Sequence, residues 1–187
     1  EQKEFSADIY SSGLQIKKLL ENLLEWGRTQ TDQSSVKSEL INLHDIINSP
    51  LNVLNKDAQL KSISVENLVD KTVNISSDPD ILETIFRNII NNSIKFTHAQ
   101  GHIKIESEKD HNKVMVKISD NGIGMEKHVL KKLFRIDSKF QGVGTNNEKG
   151  TGLGLVICNE LIKKINGEVE VESTPGMGST FIVNIPV

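Results

Sequence analysis

Apolar residues in the first 29 positions fall on two interleaved helical rows. Ile9, Ile16 and Leu23 keep a heptad step, Leu19 and Trp26 keep a second, and Leu20 widens the stripe. This pattern predicts one amphipathic helix over 1–29, whose stripe must be covered by another helix or by a second copy. The Gln, Thr, Asp, Ser and Lys residues of 30–38 read as a linker. Helical spacing returns over 40–60, with Pro50 as the point of a break or kink. It returns again over 80–96, where Ile81, Ile85, Phe86, Ile89, Ile90 and Phe96 follow the start signal of Asp78, Pro79 and Asp80. Two further helices are expected over 126–133 and 153–165.

Elsewhere the period changes to two. Val114, Val116 and Ile118 alternate with polar residues, as do Val169 with Val171, and Phe181 with Val183 and Ile185. Strands are expected over 62–65, 72–76, 103–107, 114–119, 168–172 and 180–185. Consecutive strands joined by short turns predict an α+β two-layer sandwich: a mostly antiparallel sheet with helices on one face, preceded by an N-terminal helix.

Composition narrows the function classes. A chain of 187 residues suits one core-bearing domain with an appendage. The net charge is −3 and the basic residues are scattered, so nothing points to nucleic acid. The single cysteine, Cys158, excludes an internal disulfide and a cysteine-rich metal cluster, and its place in an apolar helix reads as a buried thiol. No signal peptide and no apolar run of about 18 residues is present, so no membrane contact is expected of this segment. The chain begins at Glu1 rather than Met, which is expected of a piece cut from something longer.

Four motifs carry the chemistry. In Asn88-Ile89-Ile90-Asn91-Asn92-Ser93-Ile94-Lys95-Phe96, Asn88, Asn92 and Lys95 share one helix face. A carboxamide oxygen can ligate Mg²⁺, and an ammonium can neutralise phosphate. Asp120-Asn121-Gly122-Ile123-Gly124 ends a strand in a carboxylate followed by a glycine turn, able to accept a hydrogen bond from an exocyclic amine beside a flat ring. Gly150-Thr151-Gly152-Leu153-Gly154 runs into the helix that begins with Leu155, and such a start presents N–H groups to an anion. Thr174-Pro175-Gly176-Met177-Gly178-Ser179-Thr180-Phe181 turns between two strands. Each alone also fits a solvated helix face, a common turn or a hairpin loop.

In this order and spacing the four motifs resemble the nucleotide-binding boxes of the sensor histidine kinase catalytic domain. That module belongs to the gyrase, heat-shock chaperone, histidine kinase and mismatch-repair superfamily. The likeness runs from about residue 40 to the C-terminus, and 146–155 is especially similar to two-component sensors. The resemblance implies a Bergerat-type fold that binds ATP and Mg²⁺. Asn92 would ligate Mg²⁺ with Asn88 beside it, Lys95 would contact phosphate, and Asp120 would read the adenine amino group. Gly122 and Gly124 would frame the base, and Thr180 would join the Asp120 water network. Gly150, Gly152 and Gly154 would hinge a lid and offer N–H groups to the phosphates, with Thr151, Leu153 and Leu155 in the same nucleotide-binding run. The lid would run from Arg135 to Lys149, anchored by Phe134 and Phe140. The second aromatic of the family's Phe-x-x-Phe pattern would fall at Asp137, which leaves open whether Arg135, Lys139 or Gln141 faces the γ-phosphate.

Hydrolytic relatives carry a water-activating glutamate four residues before the Mg-binding asparagine. Here that place is Asn88, and an amide cannot serve as general base. The resemblance therefore implies a donor site that keeps ATP for an outside nucleophile. The donor would serve a histidine on a dimerisation-hairpin helix missing from this chain, and the phosphoryl group would pass on to a response regulator receiver domain. A nucleotide-gated interaction module without phosphotransfer is the alternative. Residues 1–29 resemble the second helix of that hairpin, which makes a homodimer the expectation for the intact protein. Residues 39–187 would be the catalytic domain, cytoplasmic, in a family whose full-length members can be anchored in the bacterial inner membrane. His44-Asp45 superficially resembles a phosphoacceptor box, but Ile47 replaces its basic residue and His44 follows the hairpin-like helix instead of preceding it. A half-exposed helix histidine is expected there.

Overall fold

Asn42 sets the first boundary. The computed structural model describes residues 36–135, 142–148 and 150–187, together with Gly13, Lys17, Leu20 and Gly27. Within it Asn42 is extended and its side chain accepts the Asp45 N–H at 3.2 Å, capping helix α1 (Leu43–Leu60). The residues before it, expected to open that helix at 40, instead form strand β1 (Glu39–Asn42), antiparallel to β3 (Asn74–Ser77). A local cap outcompetes the continued apolar period, because a helix beginning at 40 would put Glu39 at the N-cap, whereas Asn42 is among the favoured capping residues.

Helix α1 runs through Pro50 without ending. The pyrrolidine ring forfeits one helical hydrogen bond but is buried, and Leu43, Ile47, Leu54 and Ala58 keep the same face in the core. After Lys61, Ser62 turns with φ 54° and the Ile63 N–H returns to the Ala58 carbonyl at 2.9 Å. Strand β2 (Ser64–Asn67) therefore starts two residues later than the alternation suggests.

Asp78 caps α2 (Pro79–Phe96) by accepting the N–H groups of Asp80 and Ile81, each at 3.1 Å. Then follow β4 (His102–Lys109), β5 (Lys113–Asp120), α3 (Lys127–Leu130), α4 (Gly154–Lys164), β6 (Glu168–Thr174) and β7 (Gly178–Pro186). The helix expected over 126–133 is thus one turn, continued by looser turn bonds such as Lys132 N–H to Val129 O.

The main sheet has the order β2-β4-β5-β7-β6, antiparallel except for β2 beside β4. β3, expected in this sheet, leaves it to pair with β1. Ile103, Ile105, Val116, Ile118 and Val183 point from the sheet into one core shared with Leu82, Ile85, Phe86 and Ile89 of α2 and Ile157, Cys158 and Ile162 of α4. The other sheet face carries ion pairs such as Lys117 to Glu108 at 2.9 Å. This is the expected α+β sandwich with its helices on one face. Of the expected helix over 1–29, the four described residues are helical, while Ile9, Ile16, Leu19, Leu23 and Trp26 lie outside the described residues, as does most of the linker. No described helix is long and apolar enough to cross a membrane.

Candidate functional site

The outward face of α2 forms one wall of a cavity of about 530 Å³. Asn88, Asn92 and Lys95 all line it, as their shared helix face requires. Asn88 Nδ2 donates back to the Thr84 carbonyl at 3.0 Å, which turns Oδ1 towards the start of α4. There, a Cβ built on Gly154 would lie 2.8 Å from that oxygen. The Asn92 carboxamide makes no hydrogen bond among the described residues. Lys95 Nζ donates to the Gly142 carbonyl at 2.8 Å, lies 4.5 Å above the Phe96 ring, and would be 2.7 Å from a Cβ on Gly150.

The opposite end of the cavity is built around Asp120, the last residue of β5. Its Oδ1 accepts two backbone N–H groups, from Gly122 at 3.0 Å and from Ser179 at 3.2 Å. Neither of these backbone N–H groups is taken up by Oδ2. Burial pushes the carboxyl above its ordinary range, the two N–H bonds pull the other way, and the neighbouring Ser93 hydroxyl also lowers it. That hydroxyl is buried and, Asp120 apart, has no partner among the described residues.

Glycines are needed on this side for close approach. A Cβ at Gly122 would strike the Phe96 carbonyl, and Gly124, at φ 64°, lies against the Thr174 backbone. The turn is fastened at both ends: Ile123 N–H to Phe96 O at 3.1 Å, and Gly176 N–H to Ile123 O at 2.7 Å. Between the poles the walls are apolar, formed by Ile123, Val129, Leu133, Leu155 and Phe181. A flat ring with one exocyclic donor fits the Asp120 end, and polyanionic charge fits the Lys95 end.

The structure brings Asn88, Asn92, Lys95, Asp120, Gly124, Gly150, Thr151, Gly152, Gly154 and Leu155 to this one cavity. Gly122 and Leu153 stand just behind the lining, where Gly122 holds Asp120 and the Leu153 N–H reaches Thr151 Oγ1 at 3.4 Å. Thr180 is elsewhere. It pairs across the ladder with Ser119, hydroxyl to hydroxyl at 3.0 Å, whereas Asp120 pairs with Ser179. The pleat places neighbouring residues on opposite faces, so Ser179 rather than Thr180 lies beside Asp120 in the cavity wall. That much was readable from the alternation, since Ser179 shares parity with the core residues Phe181, Val183 and Ile185.

Of the expected lid, Phe134 is partly buried against the core and Arg135 is exposed, while Lys139, Phe140, Gln141 and Lys149 lie outside the described residues. His44, on α1, has a side chain only 14% exposed, in contact with Asn48 Nδ2 at 3.0 Å, and does not line the cavity. Two further residues escaped the motif reading, the buried Ser93 beside Asp120 and the buried Lys61. A lysine at the end of an amphipathic helix carries no sequence signal of burial.

Proteins of known kind are similar to this chain. Residues 77–187 match the family described as histidine kinase-, DNA gyrase B-, and HSP90-like ATPases. The circadian input-output histidine kinase CikA of Synechococcus elongatus is 30% identical over 193 residues, covering 99% of this chain and 25% of that protein. The chain thus spans a quarter of the length of that relative. The solved catalytic domain of histidine kinase ThkA is 26% identical with a TM-score of 0.69, covering 80% of this chain and 95% of that one. ThkA in complex with the response regulator protein TrrA gives a TM-score of 0.77 at 22% identity, over 99% of this chain and 51% of that one. Full-length ShkA in complex with AMPPNP gives 0.81 at 22% identity, over 99% and 38%. At that identity these last two show the fold.

Proposed function

Because this chain belongs to the histidine kinase-, DNA gyrase B-, and HSP90-like ATPase family, we propose that it is the catalytic domain of a sensor histidine kinase. Its cavity holds Mg-ATP and gives the γ-phosphoryl group to a histidine on a dimerisation-hairpin helix outside this chain. A response regulator receiver domain then takes the phosphoryl group. Residues 1–29 serve as the second arm of the hairpin, 30–38 as linker and 39–187 as the ATP-binding domain, in a protein that dimerises through the hairpin.

One observation carries the reading. Asp120 spends Oδ1 on two backbone N–H groups and leaves Oδ2 for a ligand's donor, at the far end of an apolar slot from Lys95. Adenine N6–H₂ supplies that donor, the ring fills the slot, and the phosphates reach Lys95 and the N–H groups of Gly150, Gly152 and Gly154.

The carboxamides of Asn92 and Asn88 suit a hard cation. Asn92 lines the cavity without a hydrogen bond among the described residues, and Asn88 turns its oxygen inward. Mg²⁺ held there supplies charge neutralisation along the polyphosphate. With an amide at position 88, the place beside Asn92 offers water no general base. The nucleophile is the imidazole nitrogen, which forms a bond to the γ-phosphorus as the bond to the β,γ-bridging oxygen breaks. ADP leaves with that electron pair, and the imidazole proton passes to the acid beside the histidine. The domain's own contribution is positioning and charge stabilisation.

Calorimetric titration with ATP, with and without Mg²⁺, on this chain and on Asp120→Ala tests the site. Mg-dependent binding lost in the variant is expected. Incubating the chain with ATP and a separately supplied hairpin protein tests the reaction, and acid-labile phosphate on the hairpin histidine is the expected product. Binding without transfer to any cognate hairpin favours a nucleotide-gated interaction module.

A further inference from the structure

Lys61 is 4% exposed, at the C-terminal cap of α1 and outside the cavity wall. A buried ammonium is strongly unfavourable unless its charge and its N–H groups find partners. Lys61 Nζ lies 2.9 Å from the carbonyl oxygens of both Ile94 and Lys95, with the Thr97 carbonyl at 3.4 Å. These are carbonyls at the end of α2, where the helix dipole favours a cation. The ammonium also meets Thr145 Oγ1 at 2.7 Å and Glu148 Oε1 at 2.6 Å. Burial alone would raise the Glu148 carboxyl, but Lys61 and the backbone N–H groups of Glu148 and Asn146 outweigh it and hold it below its ordinary range.

The segment 144–148 is closed on itself and fastened to α2. Gly144 N–H donates to Glu148 O at 2.9 Å and Asn146 N–H to Glu148 Oε2 at 2.7 Å. Thr145 N–H donates to Lys95 O at 3.1 Å, and Thr145 Oγ1 to Thr97 O at 2.7 Å. Gly144 presses so closely that a Cβ would lie 2.7 Å from Lys95 Cγ. On one side this turn follows Gly142, whose carbonyl holds the Lys95 ammonium, and on the other it leads to Gly150, which packs against the same ammonium. The base end hangs from a different carbonyl, that of Phe96, through Ile123.

From these contacts we infer that Lys61, Thr145 and Glu148 form a clip that positions the phosphate end of the nucleotide site. Lys61 and Glu148 are positioning residues: they touch no nucleotide and act through Lys95, Gly142 and Gly150. The inference rests on the ATP-site reading. Loosening the clip frees the 144–148 turn from α2, so Lys95 and the glycine run lose their mutual placement while the Asp120 end stays intact.

Lys61→Met and Glu148→Gln test it in two ways. In the nucleotide-free chain, amide hydrogen exchange at Gly144, Thr145, Asn146 and Asn147 is expected to quicken about tenfold or more. Core amides of α2 and β5 stay protected. Unchanged exchange in the nearly isosteric Glu148→Gln overturns the clip, and that variant carries the test alone if Lys61→Met fails to fold. The second measurement compares ATP by calorimetry with adenosine by NMR titration. ATP affinity is expected to fall about tenfold and adenosine affinity to stay within about twofold. Equal losses for both ligands, or none for either, overturn the positioning role. If the unmutated chain binds neither ligand, the ATP reading fails, and the exchange experiment alone decides the clip.

Discussion

Gly154 stands against Asn88 with no room for a methyl group: its built Cβ would lie 2.8 Å from Asn88 Oδ1. The opposing atom is the end of a side chain, so substitution displaces the carboxamide and leaves the backbone in place. Gly154→Ala is therefore expected to change stability by less than about 1 kcal/mol, with alanine's helix propensity offsetting part of the crowding. Mg-ATP affinity falls about tenfold, which is roughly 1.4 kcal/mol. Chemical denaturation and calorimetry on the same variant separate the two effects.

Asp120→Asn keeps the fold and spoils the site. An asparagine Oδ1 still accepts from Gly122 and Ser179, but its Nδ2 then opposes the adenine amine, donor against donor. An unpaired buried donor costs about 1–3 kcal/mol, so ATP affinity is expected to fall at least about tenfold. The neutral amide also avoids burying a charge. Tm of the ligand-free chain at pH 7 should rise above that of the unmutated chain, and a lower Tm would refute this account of the site.

The raised Asp120 carboxyl fixes the sign of two pH dependences. The folded, ligand-free chain binds this proton more tightly than the unfolded chain. Its contribution to stability is therefore fully present below the ordinary carboxylate value of 3.8 and is lost as pH climbs through the raised folded value. Adenine needs the ionised form, so ATP affinity runs the opposite way, falling about tenfold per pH unit below the folded value. Titrations across the acidic range should show this slope in the unmutated chain and not in Asp120→Asn.

Thr180→Val tests the register of β5 against β7. Its hydroxyl meets Ser119 on the sheet face away from the cavity, at 3.0 Å. Losing that bond should cost about 1 kcal/mol of stability and leave ATP affinity within about twofold of the unmutated chain. A large loss of ATP binding would put Thr180 back beside Asp120.

Asn42→Ala probes the boundary that helical periodicity misjudged. The side chain caps α1 through Asp45 N–H at 3.2 Å and ties β1 to the chain beyond α1 through Lys71 O at 2.7 Å. Removing a cap of this kind costs about 0.5–2 kcal/mol. The denaturant midpoint should drop with an unchanged m-value, and ATP binding should persist.

By itself the sequence determined whatever one element's own geometry decides. Helical period alone puts Asn88, Asn92 and Lys95 on one face of α2, and alternation alone aims Val114, Val116, Ile118 and then Asp120 inward. The glycine turns announce where backbone must approach backbone, and the four ordered motifs make the fold class and the nucleotide chemistry legible together. Tertiary structure decided the rest. β3 leaves the main sheet because β1 offers it an edge, and Asn42 sets that strand's limit by capping α1. Lys61 is buried because the ends of α1 and α2 and the 144–148 turn converge on one point, where an ammonium finds four oxygens within 2.9 Å. Periodicity records which way a side chain faces. Which distant carbonyls await it depends on how whole elements pack, and no local pattern encodes that.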